Sequence, residues 1–312
     1  MGKIDVIGLG EVVVDWVAII PQFPKPDEKI NAISEDYFSG GVTANFLVAV
    51  ARLGVSCGFI GAVGEDSYGN FLIEDFIKEK VDTKLTIMKK GMKTPLNFIF
   101  VVKGEKTIIQ SPHMLTTKLE ISDLDENYIA ESKVLHTTLI HPELSEKVIN
   151  LANQNDVRIS IDLESQIAQQ GWMRLKKMLL KADILIPNQE GAKMITKCKT
   201  PRDAAKRLIE KGIPIVIITL GAKGALLTTK ELQIQIPAYK TDNIIDTTGA
   251  SDAFNGAFSV AYFIKNWNLD KSIRYANAAA CLKIQKLGAR TGMPNEVDLV
   301  QFLKNNDKYF FN

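Results

Sequence analysis

Apolar residues along this chain form short runs that alternate with longer stretches of helical spacing. The runs are rich in β-branched residues and are bounded by glycine, proline or polar residues, which is typical of buried parallel strands. The pattern predicts strands at residues 4–10, 57–63, 133–140, 158–163, 183–187 and 214–220. Helices are predicted at residues 42–53, 67–79, 142–155, 171–180, 201–211, 249–264, 270–285 and 296–304.

Strands that alternate with helices of this length predict an α/β fold, with a mostly parallel sheet covered on both faces. Two stretches, residues 12–38 and 94–112, break the alternation because they are extended and contain Pro, Gly and charged turns. Residues 103–106 have the composition of a hairpin turn. We predict that the two stretches form one small β layer, a lid over a cleft. The length of the chain suits one large α/β domain or two ordinary ones.

Composition narrows the class of protein. The chain is 46% hydrophobic and 24% charged, which excludes disordered, collagen-like and disulfide-stapled proteins. With 38 basic and 36 acidic residues it lacks the basic excess of a nucleic-acid binder. The three cysteines are far apart, no apolar run is long enough for a membrane, and the N-terminus is a strand rather than a signal peptide, so a cytoplasmic enzyme is expected.

The basic residues comprise 31 Lys and only 7 Arg. Arg is the preferred side chain for binding carboxylates and phosphates through paired hydrogen bonds. An anion site in this protein is therefore expected to rely on backbone amides.

The strongest candidate for chemistry is the segment 246–254, DTTGASDAF, in which small residues lead into a helix. A helix start presents unpaired N–H groups and a positive dipole end, and small residues let a phosphate approach them. Asp252 falls in the first turn, where its carboxylate would repel a bound phosphate. A carboxylate at this position therefore indicates a chemical role, for example accepting a proton from an attacking hydroxyl. A helix capped by Asp246 or Thr248 explains the same residues.

Two further segments are weaker candidates. TLGAKG at 219–224 places two glycines after a strand, which suits a nucleotide site of an α/β protein or a simple positive-φ turn. SGGVTAN at 39–45 opens an apolar helix, where paired glycines admit a ligand and Asn45 offers it a donor and an acceptor, although a hinge has the same pattern. The chain has neither a P-loop nor a complete dinucleotide-binding fingerprint.

The three segments, in this order and spacing, resemble the signatures of the ribokinase (PfkB) family of carbohydrate kinases. The N-terminal signature corresponds to Gly40, Gly41 and Asn45 followed by ARLG at 51–54 and GEDSYG at 64–69, and the C-terminal signature to residues 246–252. The resemblance covers essentially the whole chain. It implies a single domain over residues 1–312 with a three-layer α/β/α ribokinase-like fold and a small β-sheet lid. In the family this lid often also pairs two subunits into a homodimer.

The resemblance also implies roles for individual residues. Asp252 would be the catalytic base, and the amides of Gly249, Ala250 and Ser251 would form the anion hole. The acceptor would be held by Asp15, Gly40, Gly41 and Asn45. ATP would be bound by Asn188, Thr219, Gly221, Gly224 and, against the adenine, Asn277. Asp246 and Thr248, with backbone near Gly288, match positions that hold a monovalent cation such as K⁺ in some members.

This chain departs from the family pattern at two positions. Ser251 stands where the family usually has Gly, and a side chain is tolerable inside a first helical turn. The family's Asn-x-x-Glu, which helps to position water-bound Mg²⁺, has Gly191 in place of the Glu, with Glu190 one residue earlier. One residue rotates a helix by about 100°. Either Glu190 reaches the metal shell by a local shift, or Mg²⁺ is held by phosphates and water alone.

The expected function is an ATP- and Mg²⁺-dependent kinase that phosphorylates a neutral sugar such as ribose or fructose. Gln166 stands where some acid-sugar kinases of the family show Arg, which disfavours an acid sugar. A nucleoside is the alternative acceptor. Aromatic residues of the lid could stack on its base or could form a lid core or dimer contact: Trp16, Phe23, Phe98 and Phe100. A non-catalytic nucleotide- or sugar-binding relative is a third reading, and the presence of Asp252 argues against it.

Overall fold

The computed structural model describes residues 3–103 and 105–311, so Gly104 of the predicted hairpin turn lies outside the described residues. The larger of its two sheets has nine strands. These are β1 (Val6–Leu9), β4 (Cys57–Gly64), β5 (Val81–Lys89), β8 (Val134–Thr137), β9 (Arg158–Leu163), β10 (Ile184–Pro187), β11 (Val216–Thr219), β12 (Ala225–Thr228) and β13 (Gln233–Ile236). The spatial order is β13-β12-β11-β10-β9-β8-β1-β4-β5.

Strands β11 to β5 along that order are parallel, and β12 and β13 add an antiparallel edge. The central strands are almost wholly buried because helices cover both faces, whereas the edge strands β5 and β13 are partly exposed. The helices are α1 (Val42–Arg52), α2 (Ser67–Lys78), α3 (His113–Thr116), α4 (Glu126–Ala130), α5 (Pro142–Gln154), α6 (Ser165–Ala168), α7 (Trp172–Leu179), α8 (Gln189–Thr196), α9 (Pro201–Glu210), α10 (Ala250–Ser259), α11 (Leu269–Lys283) and α12 (Glu296–Asn306).

The smaller sheet has four strands in the order β3-β2-β6-β7: β2 (Val13–Ile19), β3 (Ser34–Gly40), β6 (Leu96–Val102) and β7 (Glu105–Gln110). Strands β2 and β6 pair in parallel, and β3 and β7 join them as antiparallel edges. We call it the small sheet. It is built from the two stretches that break the alternation of the sequence, so the predicted α/β fold with a mostly parallel sheet and a second, smaller sheet is confirmed.

The sequence pattern missed several elements. Strand β5 follows α2 directly and pairs with β4, although Lys84 and Lys89 interrupt its apolar residues. Helix α8 contains Gly191, which weakens its helical pattern. The four-residue strands β12 and β13 are too short for periodicity to identify them. Within the described part of the chain, no helix is long and apolar enough to cross a membrane.

Helices α1 and α10 pack at unusually close range on one face of the sheet. A Cβ at Gly256 of α10 would lie 2.7 Å from the Cβ of Ala49 and 3.0 Å from the carbonyl oxygen of Phe46, both on α1. Only glycine fits at this crossing. The close approach matters for function because Asn45 and Asp252 are carried toward each other by these two helices.

We predict that Gly256→Ala lowers the free energy of unfolding by about 1–3 kcal/mol, because the added methyl forces the helices apart. Adding Ala49→Gly removes the nearest contact, so the double variant should recover part of the loss and the pair should be non-additive. Chemical denaturation of the four proteins of this cycle measures the effect. Strict additivity would show that the two positions do not determine the helix separation.

Candidate active site

A cavity of about 760 Å³ lies between the small sheet, the ends of β1, β8 and β9, and the start of α10. It brings together residues that are up to 277 positions apart in the chain, from Glu11 to Gly288. The predicted acceptor and catalytic residues that line it are Asp15, Gly41, Asn45, Gly249, Ser251 and Asp252. Gly40 and Ala250 adjoin these residues in the sequence.

The Asp252 carboxylate is the central group of this cavity and is only 4% exposed. Its Oδ2 accepts a hydrogen bond of 2.8 Å from Asn45 Nδ2, and its Oδ1 accepts one of 3.2 Å from Ser251 Oγ. Burial raises the pKa of Asp252 to about 6, although these hydrogen bonds act in the opposite direction. The carboxyl group therefore exchanges its proton close to neutral pH.

The start of α10 is shaped by Gly249, which has a φ of 78°. A Cβ on Gly249 would lie 2.5 Å from the carbonyl oxygen of Ala289, so this turn packs directly on the loop that follows α11. Of the three amides predicted to form the anion hole, that of Ala250 donates to the Thr247 carbonyl at 3.2 Å. Ser251 lies inside the first helical turn, as expected of a residue that replaces glycine there.

One end of the cavity is built around Asp15 of β2. Asn97 Nδ2 donates to Asp15 Oδ1 at 2.8 Å, and burial raises the pKa of Asp15. A Cβ on Gly40 would lie 2.3 Å from Asp15 Oδ2, and one on Gly41 would lie 2.6 Å from the carbonyl oxygen of Glu11. The two glycines therefore allow the turn from β3 to α1 to pack against β2.

Arg290 is a structural residue of this site that sequence reasoning missed. Its side chain is buried, donates from Nε to Asn45 Oδ1 at 2.8 Å and from Nη2 to the Gly40 carbonyl at 3.1 Å, and forms an ion pair with Asp75. These contacts cross 250 positions of sequence, and nothing in the local pattern signals them. Arg290 thus holds the asparagine that in turn contacts Asp252.

Glu11 is a second missed residue, and its place directly after the first strand was an available signal. Its Oε1 accepts from the amide of Val42 at the start of α1, at 3.1 Å, and its Oε2 accepts from Thr138 Oγ1 at 2.9 Å. Burial raises the pKa of Glu11. Glu11 ties helix α1 to the end of β8 under the cavity floor.

Two more carboxylates lie at the end of β9, Asp162 within the strand and Glu164 directly after it. Asp162 Oδ2 accepts a hydrogen bond of 2.8 Å from Asn255 Nδ2 and is buried. Glu164 lines the cavity, and its pKa is raised to about 7 by burial and by the charges of Glu11 and Asp252. Gln166, also in the cavity wall, donates from Nε2 to Gln110 Oε1 of the small sheet at 3.3 Å.

The predicted nucleotide residues lie outside this cavity, in a second group near the ends of β10 and β11. Asn188 pairs with Thr219 in an isolated bridge, and its Oδ1 accepts from the Gly191 amide at 2.7 Å, which caps α8. Gly221 and Gly224 both have positive φ, 58° and 88°. Asn277 is 5% exposed, and its Nδ2 donates to the Pro237 carbonyl at 3.0 Å.

Glu190, the predicted magnesium contact, lies in the first turn of α8. Its side chain is 67% exposed and forms an ion pair with Lys193. A Cβ on Gly191 would lie 2.5 Å from the Leu163 carbonyl and 3.2 Å from the carbonyl carbon of Glu164, so a larger residue would require the backbone to move. No group of three or more His, Cys, Asp or Glu side chains within residues 3–103 and 105–311 is placed to hold a metal ion.

The predicted cation residues Asp246 and Thr248 lie together in the turn before α10. Asp246 Oδ1 accepts from the amide and hydroxyl of Thr248 at 2.9 and 2.7 Å, and Oδ2 accepts from the Gly288 amide at 2.9 Å. Lys106 of the small sheet donates from Nζ to Thr248 Oγ1 at 2.7 Å. The small sheet therefore spans the cavity and contacts the far wall.

We predict that Glu164→Gln stabilises the protein more at pH 8 than at pH 5. Because the pKa of Glu164 is raised in the folded state, its contribution to stability is present at low pH and is lost as pH rises through about 7. The neutral amide escapes this loss, so the difference in Tm from wild type should widen with pH. Gln301→Asn, a change on the exposed side of α12 that alters no titratable group, should give a constant difference. A pH-independent difference for Glu164→Gln would contradict the prediction.

Comparison with known proteins agrees with this architecture. The pfkB family carbohydrate kinase model matches residues 3–296. Ribokinase from Haemophilus influenzae is 31% identical over 306 residues, which cover 95% of this chain and 97% of that protein.

Two solved structures resemble the chain over almost its whole length. Ribokinase from Thermotoga maritima, at 29% identity, gives a TM-score of 0.82 and covers 97% of this chain and 100% of its own. Arabidopsis thaliana ribokinase complexed with ribose and ATP gives a TM-score of 0.86 and covers 97% of this chain and 99% of its own. Its sequence identity is 22%, so this likeness supports the fold alone. From the family match over residues 3–296 and the ribokinase relative at 31% identity, the chain belongs to the PfkB family of carbohydrate kinases.

Proposed function

We propose that this protein is an ATP-dependent kinase that transfers the γ-phosphoryl group to a hydroxyl of a small neutral sugar. The observation that carries the proposal is the position of Asp252. Its buried carboxylate lies in the first turn of α10 and faces the same cavity as Asp15 and Asn45. A proton acceptor and groups that can bind a polyol thus share one site at a helix start, where negative charge is stabilised.

Asp252 accepts the proton of the attacking hydroxyl in this proposal. A base whose pKa is about 6 is ionised at neutral pH and still accepts a proton readily as the hydroxyl attacks. The hydrogen bond from Asn45 Nδ2 to Oδ2 fixes the orientation of the carboxylate. The N–H groups and dipole at the start of α10 stabilise the charge that develops on the transferred phosphoryl group.

The cavity wall favours a neutral sugar over a nucleoside. On β2 and β6 the residues that line the cavity are the polar pair Asp15–Asn97 and the aliphatic residues Val13, Val17, Ile19, Ile99 and Val101. The aromatic rings expected to stack on a base, Trp16 among them, alternate with these residues on the opposite face of the small sheet and pack against one another at 5.8–6.0 Å. Asp15 and Asn97 offer an acceptor and a donor to hydroxyl groups.

ATP and Mg²⁺ are the proposed cofactors. We assign the nucleotide to the second group of residues, which comprises Asn188, Thr219, Gly221, Gly224 and Asn277. Mg²⁺ bound with the phosphates neutralises part of their charge. Among the carboxylates of this chain we assign the magnesium-positioning role to Glu164 rather than Glu190, because Glu164 lines the cavity and its backbone adjoins Gly191. The small sheet acts as a lid that excludes water.

The proposal predicts ATP consumption with ribose or fructose in a panel that also contains adenosine, inosine and cytidine. Asp252→Asn should lower kcat by about 10²–10⁴-fold, because the amide cannot accept the proton. Coupled measurement of ADP release tests both points, and Asp156→Asn, an exposed change outside the site, should leave the rate unchanged. Preference for the nucleosides would replace the acceptor assignment, and near wild-type turnover by Asp252→Asn would refute the assigned base.

We also propose that the protein is a cytoplasmic homodimer paired through the small sheet. Its outer face carries the partly exposed rings of Trp16, Phe98 and Phe100, with Phe23 beside them and 50% exposed. Such a patch is typical of an interaction surface. All three cysteines are unpaired, as is usual in a reducing compartment.

We predict that Phe98→Ser/Phe100→Ser converts a dimer into a monomer, because it removes the apolar area that pairing would bury. Sedimentation equilibrium measures the mass of each protein. Ile234→Ser, an exposed apolar change on the far edge strand β13, is the control and should leave the dimer intact. A monomeric wild type would contradict the proposed dimer.

A further inference from the structure

Lys283, the last residue of α11, has an unusual environment. Its side chain is 0% exposed, and its Nζ lies at the turn that precedes α10. The ammonium donates to the carbonyl oxygen of Asp246 at 2.8 Å and to that of Lys286 at 3.4 Å, and it lies 4.0 Å from Asp246 Oδ2. A buried ammonium is tolerated only where oxygen atoms replace its water shell in this way.

The oxygen atoms around Lys283 Nζ form the kind of shell that binds a monovalent cation. Two of them are backbone carbonyls, and the third belongs to a carboxylate. Asp246 supplies one of these carbonyls and the carboxylate, and its two carboxylate oxygens also accept hydrogen bonds from Thr248 and from the Gly288 amide. The carboxylate of Asp246 is the negative group that faces the positive ammonium of Lys283.

A separate K⁺ ion does not fit this arrangement. The predicted cation residues were Asp246 and Thr248 with backbone near Gly288. Asp246 already contributes its carbonyl oxygen to Lys283 Nζ, and both of its carboxylate oxygens accept other hydrogen bonds. A K⁺ ion placed among these oxygens would be repelled by the positive ammonium of Lys283. It would also be repelled by the ammonium of Lys106, which donates to Thr248 Oγ1.

We propose that the ammonium of Lys283 is a built-in monovalent cation that takes the place of K⁺, so that this kinase works without added K⁺. The inference rests on the proposed kinase function. An ammonium group is close to K⁺ in size and charge, and it differs in being covalently attached and unable to dissociate. The site is therefore always occupied, at any external cation concentration.

The location gives this charge a role in positioning the anion hole. The carbonyl that Lys283 holds belongs to Asp246, three residues before Gly249, and the turn between them packs on Ala289 without room for a Cβ. Lys283 thus joins the end of α11 to the start of α10. It contacts no substrate atom and is a positioning residue, which keeps the N–H groups of the turn in place before ATP binds.

The test compares wild type, Lys283→Ala and Lys283→Met in KCl and in choline chloride at equal ionic strength. Wild-type turnover should agree within about twofold in the two salts, and its Tm should not respond to K⁺. Lys283→Ala removes the ammonium and opens space, so K⁺ should raise both its Tm and its turnover by several-fold. Lys283→Met fills the space with an apolar chain and should lose turnover in both salts. Lys304→Met, on the exposed face of α12, is the control and should match wild type.

Two results would overturn the inference: wild-type turnover or Tm that rises with K⁺ but not with choline, or a folded Lys283→Ala protein whose Tm is insensitive to K⁺. The Tm readout does not require catalysis. If no acceptor supports turnover in any salt, the proposed kinase function fails, while the Tm comparison still decides whether Lys283 replaces the ion. If Lys283→Ala does not fold, a wild-type Tm that rises with K⁺ but not with choline would still overturn the inference.

Discussion

The hydrogen bond between Asn45 and Asp252 is the contact on which the arrangement of the site depends. It spans 207 positions of sequence and joins the starts of α1 and α10, the two helices whose termini face the cavity. A bond of this kind requires the helices to approach closely, and Gly256 permits that approach by offering no side chain at the crossing. The packing of two helices on one face of the sheet thus determines where the carboxylate of Asp252 lies.

The side-chain oxygen of Asn45, Oδ1, extends this contact into a buried network of hydrogen bonds. Because Asn45 Oδ1 accepts from Arg290, its Nδ2 must point to Asp252, so the orientation of the amide is fixed by the arginine. Arg290 is in turn balanced by Asp75 and by the Gly40 carbonyl. Removing one member would leave a buried charge or donor without a partner, which costs far more than the contact itself contributes.

Local patterns in the sequence were sufficient for the fold and for the centre of the site. Strand β9 and the starts of α1 and α5 lie where periodicity placed them, because apolar spacing and helix-start residues act over a few positions. The segment 246–252 was identifiable because small residues before a helix are a local signal. Lys283 and Arg290 were not identifiable. Their main partners are distant in sequence, and a lysine at a helix end or an arginine in a loop normally indicates a solvated surface.

The shortage of arginine takes on a different meaning once these contacts are known. It suggested that backbone amides would bind anions, but Arg290 binds an amide, a carbonyl and a carboxylate of the protein itself. The cavity instead gathers the carboxylates of Glu11, Glu164 and Asp252. Burial raises the pKa of all three, and repulsion from neighbouring carboxylates adds to this for Glu164 and Asp252. A cavity lined by these carboxylates favours ligands that carry positive charge. A nucleotide bound with its metal ion carries such a charge, so these carboxylates are compatible with a polyanionic substrate.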